Sequence, residues 1–368
     1  MAVDYPRVVL AGFAVVVTLG LLVAGSTSGG AFGSYNPAWD GTSEFRSLAA
    51  DDAEELSIGQ NTSVYDPADA EGTLAVILSP AEQYSERERR SIRRFVEAGG
   101  TLLVAEDVGP NGNRLLRSVG AQTRFDGASL RDERRYENGP ALPVATAVGL
   151  DNDSVETIVL NHGTAVRAAG TTDTGAPNET MRAVRATNAT VLAASSPYAY
   201  LDRNGNEELD DDETVARYPV ATAERVGEGR VIAVSDPSVF INAMLERGDN
   251  RAFSHALLAG SDTVVLDVSH AGSLPPLQAL VLSLRGSALL QAVVGTALLG
   301  VLAGHVALLD AVSALRRRFG SDDPARPPRD RAAIVRGVTA RHPEWDAERV
   351  ERVTQAIMER RAEGDGND

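Results

Sequence analysis

The sequence predicts an α/β domain, a three-layer sandwich with a mostly parallel sheet, flanked by two transmembrane helices and a short helical cytoplasmic tail. Short apolar runs alternate with helical patterns over residues 73–119, which is the order of parallel strands joined by right-handed crossovers. Two uncharged apolar segments, 8–24 with its neutral flank and 286–309, have the length that a helix needs to cross a bilayer. Helical patterns within 330–361 predict the tail.

The composition restricts the functional classes. All 35 basic residues are arginine, the net charge is −16 and cysteine is absent. An acidic, lysine-free composition is typical of extreme halophiles such as haloarchaea, whose surface carboxylates stay hydrated in high salt. Because the chain offers no broad basic face, we expect no nucleic-acid binding. The lack of cysteine excludes disulfides, cysteine-ligated zinc and thiol nucleophiles.

The charges beside the two apolar segments predict their orientation. Arg316, Arg317 and Arg318 directly follow the second segment, and such positive flanks stay in the cytoplasm. A cleaved signal peptide is the alternative for the first segment. We therefore predict a multi-pass protein of the cell membrane with these parts: a cytoplasmic N-terminus (1–7), a transmembrane helix (8–24), a linker with a first helix (25–50), an extracellular α/β domain (51–273), a second transmembrane helix (286–309) and a cytoplasmic helical tail (310–368).

The clearest part of the predicted domain lies between residues 73 and 105. The runs TLAVIL at 73–78 and TLLVA at 101–105 are typical of buried parallel strands. Between them, Ser85 and Glu88 form a capping-box pattern that predicts a helix start, and Gly99-Gly100 predicts the helix end. Further strands are predicted at 156–160, 190–194, 229–234 and 263–268, and helices at 113–119, 239–245 and 250–258.

Two stretches of the chain resemble a known family. They are Tyr84–Asp107 and Gly229–Leu258, the second with its GRVIAVSDPSVFINAML run and Asp249-Asn250. Both resemble the DUF4350 family of membrane proteins, whose exterior domain is related to the class I glutamine amidotransferase-like fold. The chain is also similar to the soluble domain of gliding-motility-type ABC transporter accessory proteins. This resemblance implies a glutamine amidotransferase-like or flavodoxin-like architecture. It also implies a role in a membrane assembly, because relatives lie beside genes for MoxR-type ATPases and DUF58 proteins.

Several catalytic motifs are missing from the sequence. A glutaminase of the resembled fold needs a cysteine nucleophile, so amidotransferase activity is excluded. The chain has no G-x-S-x-G elbow, and its five histidines lack a metal-binding spacing such as HExxH. We interpret His162 and His255 as ordinary surface or packed residues.

Polar residues follow several predicted strands. In an open α/β sheet, ligands bind beyond the carboxyl ends of the strands. The residues at those ends predict a possible ligand cleft, and the alternative is that they cap the following helices. The residues are Ser79, Glu106, Asp107, Ser235 and Asp236.

The sharpest local pattern is an acidic stretch at 202–213. Counted as a 12-residue calcium loop, it places oxygen-bearing side chains at positions 1, 3, 5, 9 and 12. It departs from EF-hand and dockerin loops at position 6, where Glu207 replaces the usual glycine. A solvated acidic hairpin is the alternative. The predicted calcium ligands are Asp202, Asn204, Asn206, Asp210 and Glu213.

The predicted tail carries an apolar stripe that needs a partner. Val350, Val353 and Ile357 recur at helical spacing, and two helices bury little by themselves. We therefore predict that 330–361 docks on a cytoplasmic or membrane protein; packing against the membrane-proximal segment is the alternative. For the whole chain we predict a non-enzymatic, membrane-anchored binding or scaffold protein. The alternative function is an extracellular hydrolase or carbohydrate-binding domain that uses the strand-end carboxylates.

Overall fold

The computed structural model describes most of the α/β domain and two helices near the C-terminus. The described residues are 30–150, 154–171, 179–271 and 330–364, together with residues 13, 16–17, 277, 280, 283, 287 and 289–296. The chain divides into two units, Met1–Gly286 and Ser287–Asp368.

Nine strands of the first unit form one large mixed sheet. Its strand order is β1-β13-β2-β3-β12-β11-β9-β6-β7, and the pairs β10-β5 and β4-β8 form two small ribbons. The strands are β1 (Glu55–Gly59), β2 (Thr73–Leu78), β3 (Thr101–Ala105), β4 (Thr123–Phe125), β5 (Ser129–Asp132), β6 (Val144–Ala147), β7 (Thr157–Val159), β8 (Val166–Ala168), β9 (Ala189–Ala194), β10 (Ala199–Asp202), β11 (Pro219–Val226), β12 (Gly229–Val234) and β13 (Thr263–Asp267).

Helices cover both faces of the sheet. Alternate residues of a strand point to opposite faces. Leu74 and Val76 of β2 therefore pack in one core, and Ala75 and Ile77 pack in another. The described helices are α1 (Ser43–Asp52), α2 (Glu86–Glu97), α3 (Asn111–Val119), α4 (Glu179–Arg185), α5 (Asn242–Leu245) and α6 (Asn250–Leu258) in the first unit, and α7 (Arg331–Arg341) and α8 (Ala347–Gly364) in the second. The first core contains side chains of α1 and α6, and the second contains side chains of α2 and α3.

The predicted β2-α2-β3 segment is confirmed. Ser85 caps α2 with both halves of the capping box, since the Ser85 side chain accepts from the Glu88 N–H and the Glu88 side chain accepts from the Ser85 N–H. Ile92, Phe95 and Val96 form the buried face of α2. The helix then ends at a glycine turn, where Gly99 has a φ of 112° that favours glycine.

The prediction of a mostly parallel sheet is wrong. The pairs β1-β13, β13-β2, β2-β3 and β3-β12 are parallel, but β12-β11, β11-β9, β9-β6 and β6-β7 are antiparallel. The reason is visible at the β11-β12 connection, where only Gly227 and Glu228 separate the paired residues Val226 and Gly229. A two-residue loop joins antiparallel strands, because a parallel pair needs a long crossover.

The prediction of two transmembrane helices is also contradicted. A crossing helix needs about 20 consecutive, predominantly apolar residues. Within the part of the chain that the structure describes, every helix falls short of the length and apolar character required to traverse a bilayer. Most of 8–24 and of 286–309 lies outside the described residues. The two spans are withdrawn, and so is the cell-membrane location with an exterior domain and a cytoplasmic tail that depended on them.

Candidate functional site

The predicted cleft residues lie together at one edge of the sheet. Leu78 is paired with Ala105, and Ala105 is paired with Val234, so β2, β3 and β12 end side by side. The Ser79 N–H donates to the Ala105 carbonyl at 2.9 Å, and the Glu106 N–H donates to the Val234 carbonyl at 3.2 Å. We call the residues that directly follow these three strands the carboxyl edge: Ser79, Glu106, Asp107, Ser235 and Asp236.

Glu106 is buried at the N-terminus of α3. Its side chain is 1% exposed, and its Oε2 accepts the Gly112 N–H at 2.6 Å. A Cβ atom on Gly109 or Gly112 would come within 2.3 Å or 2.5 Å of the Glu106 carboxyl oxygens, so both positions require glycine. Burial raises the pKa of Glu106 to about 7, the Gly112 N–H opposes this rise, and the neighbouring charge of Asp107 adds to it. The carboxylate occupies the place at a helix N-terminus where an external anion would otherwise bind.

Asp236, at the end of β12, is likewise a buried carboxyl that accepts hydrogen bonds from backbone N–H groups. It is fully buried, and its two carboxyl oxygens accept the Asn161 N–H at 2.5 Å and the Ser238 N–H at 2.7 Å. Gly163 lies so close that a Cβ there would be 2.8 Å from the Asp236 Cβ. Burial raises the pKa of Asp236 to about 7 against the effect of these backbone donors. Asp236 therefore fastens the loop after β7 to the short helical turn that follows β12.

The other three residues of the carboxyl edge make local contacts. The Ser235 hydroxyl is buried and donates to the Thr164 carbonyl at 2.6 Å. Asp107 is half-buried and accepts the N–H of its neighbour Val108 at 2.6 Å. Ser79 has a φ of 41°, in the left-handed region that non-glycine residues rarely adopt. The five residues thus lie together, with the two buried carboxyls engaged by backbone N–H groups, and a ligand cleft at the carboxyl edge stays a prediction.

Further buried polar residues fasten loops in the same way, and the sequence reading missed them. Asn250 is fully buried; its amide donates to the Val159 and Met244 carbonyls, and its oxygen accepts the Val159 N–H, all at 2.9 Å. Both oxygens of the buried Glu224 accept the Gln122 N–H, at 2.7 and 2.8 Å. No local signal marked them, because Asn250 lies in the polar stretch 246–251 and Glu224 directly precedes Arg225.

A second group of side chains, which was not predicted from the sequence, lies at the end of β13. The Ser269 Oγ is 2.9 Å from the Nδ1 of His270, and the His270 Nε2 is 3.6 Å from the Glu88 Oε2. The Tyr84 ring lies against the His270 ring with 3.9 Å between the centroids. Asp267 accepts the Ser269 N–H at 2.8 Å and the Tyr84 hydroxyl at 3.0 Å. The sequence signal was the Ser-His pair directly after a predicted strand.

The predicted calcium ligands lie in one compact loop. The Asn204 and Asn206 amide groups both donate to the Asp210 Oδ2, at 2.7 and 2.8 Å, and Asp202 accepts the Glu207 N–H at 2.9 Å. Glu207, at the position where glycine is usual, has a φ of 67°. Among the described residues, no group of three or more acidic or histidine side chains is arranged to hold a metal ion. Binding would require the two amides to turn their oxygens inward, and calcium binding stays a prediction.

Calcium is expected to raise the melting temperature of the full chain in molar KCl by at least ~2 °C, because a ligand that binds only the folded state stabilises it. The Glu213→Gln variant should lose this shift, since Glu213 occupies the bidentate position. Glu208→Gln is the matched control, because Glu208 is exposed and its side chain is outside the predicted ligand set. Calorimetry checks the result; an equal shift in the Glu213→Gln variant contradicts calcium binding at this loop.

Several solved structures are similar to parts of this chain. The structure titled "mmIFT52 N-terminal domain" is 13% identical, with 50% of this chain and 74% of that chain covered and a TM-score of 0.36. A cytoplasmic protein from Salmonella typhimurium LT2 is 14% identical, with 56% and 76% covered and a TM-score of 0.32. An exo-β-1,4-mannosidase from Opitutaceae bacterium strain TAV5 is 18% identical, with 52% and 25% covered and a TM-score of 0.26. The chain spans only a quarter of that mannosidase.

The family comparison covers the α/β domain. No curated protein matches the chain. The sequence profile described as "Domain of unknown function (DUF4350)" matches residues 34–258, which include α1, α6 and the whole carboxyl edge. This match extends over more than half of the 368 residues. The chain therefore belongs to the DUF4350 family.

Proposed function

We propose that the α/β domain is a binding module without catalysis at its carboxyl edge, that it serves as an accessory component of a protein assembly, and that α7 and α8 contact the partner. The single observation that carries this proposal is the engagement of Glu106 and Asp236 by backbone N–H groups. A carboxyl that catalyses must reach a substrate, whereas these two are buried and bonded to their own chain.

The N-terminus of α3 at the carboxyl edge is already occupied by a side chain. Open α/β sheets bind ligands beyond the strand ends, commonly with an anion at a helix N-terminus. In this domain the Glu106 carboxylate already fills that place at α3. This occupied position favours binding through an outer surface.

A hydrolase or carbohydrate-binding domain is the second candidate. It is favoured by the pKa values of Glu106 and Asp236, both raised to about 7, because a general acid works best with a pKa near the working pH. We also propose that the domain is related to the class I glutamine amidotransferase-like fold. This chain has no cysteine and so lacks the nucleophile of that fold. Burial of both carboxyls argues for the binding module.

The two C-terminal helices are the proposed contact for a protein partner. Among the described residues of α7 and α8, only Val350 and Thr354 are buried. Val353 and Ile357 lie on the predicted apolar stripe and are half-exposed. A helix pair with so small a core gains stability when a partner covers the remaining apolar surface.

Deletion of 330–361 from the full chain should abolish the set of proteins that crosslink to it in the native host. The control is Arg352→Ala, because Arg352 is exposed on the same helix and should keep those neighbours. Quantitative mass spectrometry of the crosslinked products measures both. If the same proteins crosslink to the chain after the deletion, α7 and α8 do not contact the partner.

Substrate turnover that is lost in Asp236→Asn without loss of stability would favour the hydrolase instead.

A further inference from the structure

We propose that Ser269 is a nucleophile, activated by His270 and Glu88, that reacts with short acyl esters. This proposal is independent of the binding function. Ser269 and His270 follow β13 and Glu88 lies in the first turn of α2, and none of the three is a hydrogen-bond partner of the Glu106 or Asp236 carboxyl. A nucleophile within hydrogen-bond reach of a base that a third group orients is the arrangement that activates serine in acyl transfer.

The distances assign a role to each side chain. The Ser269 Oγ lies 2.9 Å from the His270 Nδ1, so its hydroxyl can donate its proton there. That bond requires the proton of the neutral imidazole to be on Nε2, and Nε2 faces the Glu88 Oε2 at 3.6 Å. Glu88 keeps its negative charge, because hydrogen bonds from Ser85 lower its pKa. The carboxylate therefore favours the tautomer in which His270 acts as the base.

Neighbouring elements hold these groups in place. The Glu88 carboxylate accepts the Ser85 N–H at 2.6 Å as part of the capping box, which fixes it to the first turn of α2. The Tyr84 ring lies against the imidazole, tilted by 31° with 3.9 Å between the centroids, and limits its rotation. The Asp267 Oδ1 accepts the Ser269 N–H at 2.8 Å and so fixes the backbone of the nucleophile. Such preorganisation is what separates a reactive serine from an ordinary one.

The surroundings limit the size of the substrate. Ser269 is half-buried, and the side chains of His270 and Glu88 are 11% and 28% exposed, so a small reagent can reach the group. A short activated acyl ester is therefore the class of reagent that can reach Ser269, and an aryl acetate is its smallest convenient member.

The reaction with an aryl acetate proceeds in two balanced steps. In the first, the Ser269 Oγ forms a bond to the carbonyl carbon, its proton passes to the His270 Nδ1, and the bond to the aryl oxygen breaks; the leaving phenolate takes that proton. In the second, water attacks the acetyl carbonyl carbon and gives one proton to His270, the bond to the serine oxygen breaks, that oxygen takes the proton from His270, and acetic acid leaves. The net change is hydrolysis of one ester to acetic acid and a phenol.

The test uses the full chain and 4-nitrophenyl acetate. The absence of lysine and cysteine removes the two side chains that most often give background acylation. Peptide mass spectrometry should find an acetyl group on Ser269, and the rate of nitrophenol release should fall at least ~10-fold in the Ser269→Ala and His270→Gln variants. Glu88→Gln retains a capping-box residue, so the variant should stay folded, with a slightly lower melting temperature, while its rate falls.

His255→Gln is the control, because the His255 side chain is more exposed than that of His270 and also lies beside a carboxylate, that of Asp52 at 2.6 Å, but shares no hydrogen bond with Ser269. Any free imidazole hydrolyses this ester slowly, and the control measures that background. The proposal is overturned if Ser269 carries no acetyl group in the wild-type protein. It is equally overturned if Ser269→Ala, folded by circular dichroism, keeps the wild-type rate. Because acetylation is measured on the unsubstituted protein, a variant that fails to fold does not prevent a decision.

Discussion

Asp236→Asn is expected to lower the free energy of unfolding by roughly 1–3 kcal/mol. The Asp236 oxygens accept the Asn161 and Ser238 N–H groups at 2.5 and 2.7 Å in a fully buried position. An asparagine there would turn its NH₂ group toward one of these donors, and an NH₂ group cannot accept a hydrogen bond. Urea unfolding of the full chain, followed by circular dichroism, measures the difference.

Asp107→Asn is the matched control for this substitution. Asp107 lies at the same edge, but it is half-buried and its side chain accepts a hydrogen bond from the adjacent Val108 N–H. We expect its stability to change by less than about 0.5 kcal/mol. Equal effects of the two substitutions would mean that Asp236 is not the fastening residue that its hydrogen bonds indicate.

The free energy of unfolding should also depend on pH, because Asp236 has a raised pKa in the folded protein. Burial raises its pKa from 3.8 to about 7, so the folded protein holds this proton more tightly than the unfolded chain does. The resulting stabilisation is fully present below about pH 4 and is lost as the pH rises through 7. The stability of the wild type relative to Asp236→Asn should therefore fall by roughly 2–4 kcal/mol between pH 4.5 and pH 8.

Comparison with the variant is essential for this measurement, because other carboxyls titrate in the opposite sense. Hydrogen bonds lower the pKa values of Glu88 and Asp249, so their contributions are lost as the pH falls. Those contributions cancel in the difference between wild type and variant. A difference that is constant from pH 4.5 to 8, or that grows with pH, contradicts a raised pKa at Asp236.

The parallel half of the fold could be predicted because its strands are buried on both faces. Such strands read as continuous apolar runs, and β2 and β3 were found at the predicted residues. In the antiparallel half, β7 and β9 lie at the predicted 156–160 and 190–194, but the paired strands β4 and β8, with three residues each, were not predicted. Three residues are too few to show a period of two.

The candidate site was predictable in position but not in its bonding. The carboxyl edge follows from strand ends that meet side by side, as at Ser79, Glu106 and Ser235. The donors that engage Asp236 come partly from Asn161, 75 positions away, which no local pattern reveals. In the same way Ser269 and His270 are neighbours in sequence, but Glu88 reaches them only through the fold.

Amide hydrogen exchange tests most directly whether the buried carboxyls of the carboxyl edge act as fasteners. The N–H groups of Gly112, Asn161 and Ser238 all donate to these carboxyls. NMR-detected exchange on the full chain should therefore find all three as protected as the amides of β3 and β12. Exchange at the rate of unprotected loop amides would show that Glu106 and Asp236 are free to act on a ligand, and the binding-module account would be wrong.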